Sequence, residues 1–150
     1  MRSLTVAVAA TLSALSATLP ALPAHASAAD AYEAQAVTVT NDHRTDRGLR
    51  PLRRDTCLAR FAQRHAERMA HQQRIFHQDL SPILRRCDLT DVGENVADGY
   101  DQGRTVVSQG WMHSAGHRQN ILNPQFRVVS VGAARSRTGR WYTAQVLGRR

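Results

Sequence analysis

The sequence predicts an α+β domain in which helices pack on a small, mainly antiparallel sheet. Three observations carry that expectation: a helical apolar period in the first half of the chain, two β-patterned runs at its end, and a total of 150 residues, one domain's worth of chain. No internal repeat is present, and a composition of 42% hydrophobic and 21% charged residues excludes disordered, collagen-like and disulfide-dense classes.

The first element is a leader rather than part of the fold. Arg2 precedes an uncharged run from Leu4 to Leu22, followed by the small-residue sites Ala24-His25-Ala26 and Ala26-Ser27-Ala28. This pattern predicts a secretory signal over residues 1–28, cleaved near 26 or 28, and a domain over 29–150. Pro20 and Pro23 interrupt the run and its Ala, Ser and Thr residues insert weakly, so a membrane-spanning reading fits less well. The expected location is outside the cell, with no transmembrane segment left after cleavage.

The folded elements follow. From Asp30 to Arg47 the pattern is ambiguous: Val37, Asn41 and Arg44 stand at helical spacing, yet Ala36 to Thr40 alternates as a strand does. Gly48 and Pro51 end whatever precedes them. Asp55 is a good N-cap, and Leu58, Phe61, Ala62, His65, Ala66 and Met69 then mark an amphipathic helix, with Arg60, Gln63, Arg64, Glu67 and Arg68 outside. His71 to Asp91 has no sustained period and reads as a structured loop holding one short helix; a loop of that length in a small domain points to function. Gly93 to Ala97 reads as a short strand and Asp101 to Trp111 as a second helical segment. Beyond Pro124, the run Phe126 to Val131 and the alternating run Trp141 to Val146 flank Ser136-Arg137-Thr138-Gly139, which predicts a C-terminal hairpin.

Charge and cysteine usage narrow the partners. All 20 basic residues are Arg against 12 acids, a pattern in keeping with GC-rich codon usage, and removal of the leader leaves 19 Arg against 12 acids, a formal +7. That balance favours anionic surfaces. Arg135, Arg137 and Arg140 near the predicted turn, with Arg149 and Arg150, suggest a basic edge, although such charge is more often a solvated face that discourages strand pairing. Aromatic platforms and nucleic-acid motifs are absent, so no specific nucleic-acid partner is expected. In an oxidising compartment Cys57 and Cys87 are the only candidates for each other, and a disulfide is expected, closing a loop whose restraint contributes roughly 3 to 4 kcal/mol on the loop-entropy account.

Two stretches stand apart from this grammar, Gly93-Glu94-Asn95-Val96-Ala97 and Trp111-Met112-His113-Ser114-Ala115-Gly116-His117-Arg118-Gln119-Asn120-Ile121-Leu122-Asn123-Pro124. Together with Asn41 and Arg44, Gly48-Leu49-x-Pro51-Leu52, Leu58-x-x-x-Ala62-x-x-His65-Ala66, Phe76-His77 and Val146-Leu147-Gly148-Arg149, in this order, they span essentially the whole mature chain. The chain resembles the bacterial secreted members of the CAP superfamily, the family of cysteine-rich secretory proteins, antigen 5 and plant pathogenesis-related proteins. The resemblance implies an α-β-α sandwich with a central antiparallel sheet. It also implies a cleft lined by two histidines and acidic residues that binds a divalent cation in several members.

Carried onto this chain, the resemblance makes His77 the first cleft histidine, Glu94 the first acid and His117 the second histidine. The family's second acid, three residues after the tryptophan matched by Trp111, is here Ser114. His77, Glu94, Ser114 and His117 are thus the expected ligand-binding cleft. His77, Glu94 and His117 are the expected metal ligands, a donor set that suits Zn²⁺ and that binds more weakly for want of the fourth residue. A second departure is Ser130-Val131-Gly132 in place of Gly-Val-Gly, where Ser130 is expected to be tolerated in a strand but to stand where it could crowd a backbone approach. Other histidines have plainer readings: His65 lies on the apolar stripe of its helix as a satisfied core residue, while His43, His71 and His113 fit exposed surface. Trp111, Ile121 and Leu122 read as core, and Asn95 and Asn120 as residues that bond loop backbone around the cleft.

The leading functional expectation is a non-catalytic extracellular binding module, with no catalytic residues assigned, whose cleft accepts a divalent cation, lipid or peptide and whose basic face meets an anionic envelope polymer. The alternative is a zinc-dependent hydrolase, a peptidase or esterase using the same cleft. Glu94 would then have to be either a ligand or the general base, and a Ser114 nucleophile activated by His117 lacks an orienting acid.

Overall fold

A computed structural model describes residues 27–150. The expected leader, residues 1–28, therefore lies almost entirely outside the described residues, with only Ser27 and Ala28 inside. Ser27 caps the first helix, α1 (Ala28–Thr45), through a reciprocal box in which Asp30 N–H donates to Ser27 Oγ at 3.1 Å and Ser27 N–H donates to the Asp30 carboxylate at 2.9 Å. A chain that begins at Ser27 keeps this cap, whereas one that begins at Ala29 loses it.

The ambiguous stretch is helical throughout. Tyr32, Ala36, Val37, Thr40 and Arg44 are buried at spacings of three and four, and this continuous packed stripe overrides the strand-like alternation of residues 36–40. Gly48, at φ 71°, supplies the left-handed turn that leads into β1 (Arg53–Arg54). Asp55 then caps α2 (Thr56–Gln72), accepting the Leu58 N–H at 3.0 Å. After α2 comes the expected loop with one short helix, α3 (Ser81–Arg86), tied back to the start of α2 by the Cys57–Cys87 disulfide. The strand expected at residues 93–97 runs longer, as β2 (Asp91–Asp98).

The segment expected to form a second regular helix is broken into three pieces: α4 (Gly103–Thr105), a π turn (Val106–Gly110) and a 3₁₀ turn (Trp111–His113). Its start is forced tightly against α1, since a Cβ on Gly103 would lie 1.9 Å from the Tyr32 carbonyl oxygen. Helix α5 (Ala115–Ile121) and the hairpin β3 (Val128–Arg135) and β4 (Trp141–Arg149) complete the chain, with Gly139 at φ 82° in the predicted turn.

The sheet order is β1-β3-β4-β2, antiparallel except for the two-residue parallel pairing of β1 on β3. Both faces are covered, which is why β4 is buried along almost its whole length. On one face α1, α4 and the turns after it pack through Tyr32, Val37, Trp111, Ile121, Val129 and Trp141. On the other, α2 and α3 pack through Leu58, Ala62, Ile83, Met69, Val146 and Tyr142. The result is the α-β-α sandwich.

Two serine and glycine positions sort differently from expectation. Ser130 crowds nothing: its hydroxyl donates to the Asp55 carbonyl at 2.6 Å and so fastens β3 to the start of α2. The close backbone approach occurs instead at Gly132, where a Cβ would sit 2.3 Å from Gln63 N and 2.4 Å from Ala62 C.

Candidate functional site

Strand β2 is an edge of the sheet, and the site is built around it. Successive residues point to opposite faces, so Glu94 projects toward α2 while Asn95 projects toward α1 and α5. The outer side of the strand is closed by side chains: the Trp111 indole N–H donates to the Val96 carbonyl at 3.2 Å, and the Asn120 amide donates to the Glu94 carbonyl at 3.1 Å. These bonds occupy edge groups that would otherwise invite another strand.

Glu94 is buried, and its carboxylate is fully engaged. Oε1 accepts the His77 Nδ1–H at 2.9 Å and the Gln78 backbone N–H at 3.2 Å; Oε2 accepts the Gln78 amide at 2.6 Å. Fixing Nδ1 as the donor leaves His77 Nε2 free, on a side chain that is 61% exposed. Glu94 thus orients His77 instead of standing beside it as an equal ligand.

His65 lies behind the carboxylate, completely buried, with Nε2 3.9 Å from Glu94 Oε2. The expected core role holds in detail: Nε2–H donates to the Phe76 carbonyl at 2.7 Å and Nδ1 accepts from Arg68 at 2.9 Å. Burial above all pushes its pKa down, helped by Arg68 and His77 and opposed by Glu94 and the Phe76 carbonyl. Sequence reasoning missed that this histidine abuts the acid, and it missed Gln78, whose position directly after Phe76-His77 is the one signal available.

His117 sits on α5, half-buried, and its carbonyl accepts from the Asn95 amide at 3.2 Å. Asn95 is itself held by Gln145 at 2.9 Å and by Asn120 at 2.9 Å, and Gln145 donates to Thr40 at 2.9 Å. A chain of amides therefore ties α1, β4, β2 and α5 together and sets the height of α5. Asn95 and Asn120 do bond backbone around the cleft, but the carbonyls they reach belong to α5 and β2 and not to a loop, and their other bonds join side chains. Burial lowers the His117 pKa, and the nearby His77 lowers it further, which favours the neutral, lone-pair-bearing imidazole.

Ser114 starts α5 with no cap hydrogen bond from its side chain. It shares with His117 an open groove of about 300 Å³ along β2, floored by Val96, Tyr100 and Trp111 and rimmed by Ile75 and Asp98. Ile75 is the one exposed large hydrophobic residue among the described residues, at 45%. Ser114 and His117 line this groove, and His77, held by Glu94, stands beside it, near enough to His117 to act on its protonation. Among the described residues, no three His, Cys, Asp or Glu side chains converge closely enough to hold a metal ion. Of the expected set of His77, Glu94 and His117, Glu94 is turned toward His77 Nδ1 and Gln78 and so stands behind His77.

Comparison with known proteins agrees with this architecture. The model of the CAP family, described as the cysteine-rich secretory protein family, matches residues 37–146. An uncharacterized protein, YkwD, of Bacillus subtilis (strain 168) is 35% identical over 130 residues, covering 82% of this chain and 49% of that protein. An uncharacterized membrane protein of the same organism, YlbC, is 32% identical over 124 residues, covering 78% of this chain and 34% of that protein. The chain therefore spans half or less of the length of these curated relatives. Among solved structures, an extracellular protein containing an SCP domain from Bacillus anthracis str. Ames superposes with a TM-score of 0.69 at 29% identity, covering 81% of this chain and 41% of that one. An outer surface protein of Borrelia burgdorferi shares the fold at a TM-score of 0.66 and 18% identity, over 76% of this chain and 89% of that one. No helix of the described residues is long and apolar enough to cross a membrane. With the family model spanning most of the described residues and the sandwich in place, the chain belongs to the CAP family of cysteine-rich secretory proteins.

Proposed function

We propose that this is an extracellular binding module, delivered by a leader cleaved near residue 26 or 28, whose cleft at the β2 edge presents two imidazoles to a small ligand or a divalent cation. The observation that carries the reading is the His77 Nδ1–H to Glu94 bond at 2.9 Å, which aims an otherwise unpartnered Nε2 outward. A carboxylate behind a histidine fixes its tautomer and ring orientation, the arrangement found behind metal-bound histidines.

Two imidazoles suit Zn²⁺, and His77 with His117 would hold it, Glu94 acting from behind. A bound Zn²⁺ would supply a Lewis-acid centre with positions open to water. The remaining work falls to the chain itself. Both Glu94 oxygens accept from His77 or Gln78 and the side chain is 1% exposed, which keeps it from a water in the cleft and supports ligand binding over hydrolysis. The groove beside Ser114 and His117, with its apolar floor and Ile75 rim, suits a ligand with an apolar segment, such as a lipid or peptide.

Calorimetric titration of Zn²⁺ into the oxidised mature protein tests the cation reading. The expected result is saturable one-site binding that disappears in the His77→Ala, His117→Ala double variant. Absence of binding, or binding unchanged in the double variant, would remove the cleft from consideration as a cation site.

A further inference from the structure

The expected basic edge at the hairpin is not continuous. Arg140 is neutralised by Asp98 at 2.6 Å and Arg150 by Asp55 at 2.6 Å. Among the described residues only these two arginines have a carboxylate within salt-bridge distance; what sets one region apart is that four of the others gather along connected depressions on the outer face of α2 and at the start of the hairpin turn.

There, four guanidinium groups are held by neutral partners. Arg64 lies over the Phe61 ring at 5.2 Å, Arg135 lies over the Trp141 ring at 4.7 Å, and Arg68 donates to His65 and Gln78. Arg137 donates to the Gln73 side-chain oxygen at 3.1 Å once that amide is oriented to accept. None of the four has a carboxylate within salt-bridge distance, although 12 acids are available in the chain. Stacking and neutral hydrogen bonds fix these side chains without cancelling their charge, so ordering them on a ligand costs little further entropy.

The groups border connected depressions. One, of about 570 Å³, runs between α2 and the hairpin and is lined by Glu67, His71, Arg135 and Arg137; the next, sharing Glu67 and His71, is lined by Arg64 and Arg68. Glu67 is the single acid in both, and its carboxylate accepts from Gln63 at 3.0 Å. Arg64 and Arg68, four residues apart, advance about 6 Å along the helix axis, a distance that neighbouring phosphates separated by a three-carbon polyol unit and its two ester oxygens can span.

We propose that this trough binds a linear polyol–phosphodiester chain of a cell envelope. The surface selects against the two other common polyanions. Phe61 and Trp141 are covered by their arginines and offer no stacking platform for bases, and no exposed large hydrophobic residue lines the trough to enter a bilayer. The trough shares no lining residue with the His77–His117 cleft; only Arg68 links the two, through His65 and Gln78, and the substitutions that test the trough leave Arg68 in place, so the two readings fail separately.

The test is fluorescence anisotropy of a labelled glycerol-phosphate oligomer with the oxidised mature protein over a range of salt concentrations. Binding is expected to weaken steeply with salt. Arg135→Gln, Arg137→Gln should lower affinity about tenfold and flatten the plot of log K against log salt by about 1.4, two contacts at roughly 0.7 each for a single strand. Arg85→Gln, Arg86→Gln, which removes the same charge from α3, should change affinity less than about twofold, the effect left to long-range charge alone. If loss of the Arg135 stack unfolds the hairpin, Arg64→Gln, Arg137→Gln carries the same expectation. Equal weakening by the α3 pair, no binding at low salt, or tighter binding of a single-stranded oligonucleotide or of anionic vesicles than of the polyol chain would overturn the assignment.

Discussion

Gly132→Ala is expected to destabilise the domain by about 3 kcal/mol or more, at the upper end of what overpacking costs. The added carbon would lie 2.3 Å from Gln63 N and 2.4 Å from Ala62 C, and both are helix backbone, so no side-chain rotation can relieve the contact. Either α2 lifts from β3 or the strand bends away. Such a loss is a large fraction of the net stability of a small domain, commonly about 5 to 15 kcal/mol. Lifting α2 also moves His65 and the wall behind Glu94. Chemical denaturation of Gly132→Ala beside Ser130→Ala checks the claim. The glycine variant should lose far more, since Ser130→Ala gives up only the hydroxyl's hydrogen bonds to Asp55 and Val129 and introduces no clash. Equal, small losses would show that α2 has room to shift.

Arg44→Met is the second large effect, expected to cost about 3 kcal/mol through three unpaired carbonyls, partly offset by relief of a buried charge. Arg44 is completely buried on α1, and burial lowers its pKa, with Arg127 adding repulsion. Its guanidinium donates to the Arg50 carbonyl at 2.9 Å, the Ile121 carbonyl at 2.7 Å and the Asn123 carbonyl at 2.9 Å. The last two lie at the end of α5 and just beyond it, so one side chain anchors the helix that carries His117. Arg44→Lys should rescue only part of the loss, because a point-like ammonium cannot span the fork of acceptors. Denaturation midpoints check the stability, and protection of the α5 amides from hydrogen exchange checks the anchoring. Unchanged α5 protection in Arg44→Met would contradict that role.

These two positions show how far the sequence reaches. The α2 stripe from Leu58 to Met69 and the hairpin around Gly139 are legible because their periods are strong and local. The Ala36–Thr40 stretch is not, because helix and strand periods both fit it and only the packing of Tyr32, Val37 and Arg44 decides. The segment after Asp101 fails as a regular helix because Gly103 and Trp111 are fixed by contacts to α1 and β2, which no local pattern reveals. At the site, family resemblance picked out His77, Glu94, Ser114 and His117. Their roles depend on partners distant in sequence: the Gln78 bonds to Glu94, the burial of His65 behind it, and the Asn95–Gln145–Thr40 chain all require the sheet to be closed.

The central claim is that Glu94 orients His77 from behind so that His77 Nε2 and His117 face one ligand. Long-range proton–nitrogen NMR of the imidazoles, recorded through a Zn²⁺ titration of the oxidised mature protein, tests it most directly. The account predicts His77 as the Nδ1–H tautomer before metal, joint saturable shifts of His77 Nε2 and a His117 nitrogen, and no shift of the doubly hydrogen-bonded His65 nitrogens. Shifts confined to His43, His71 or His113, or an Nε2–H tautomer at His77, would contradict it.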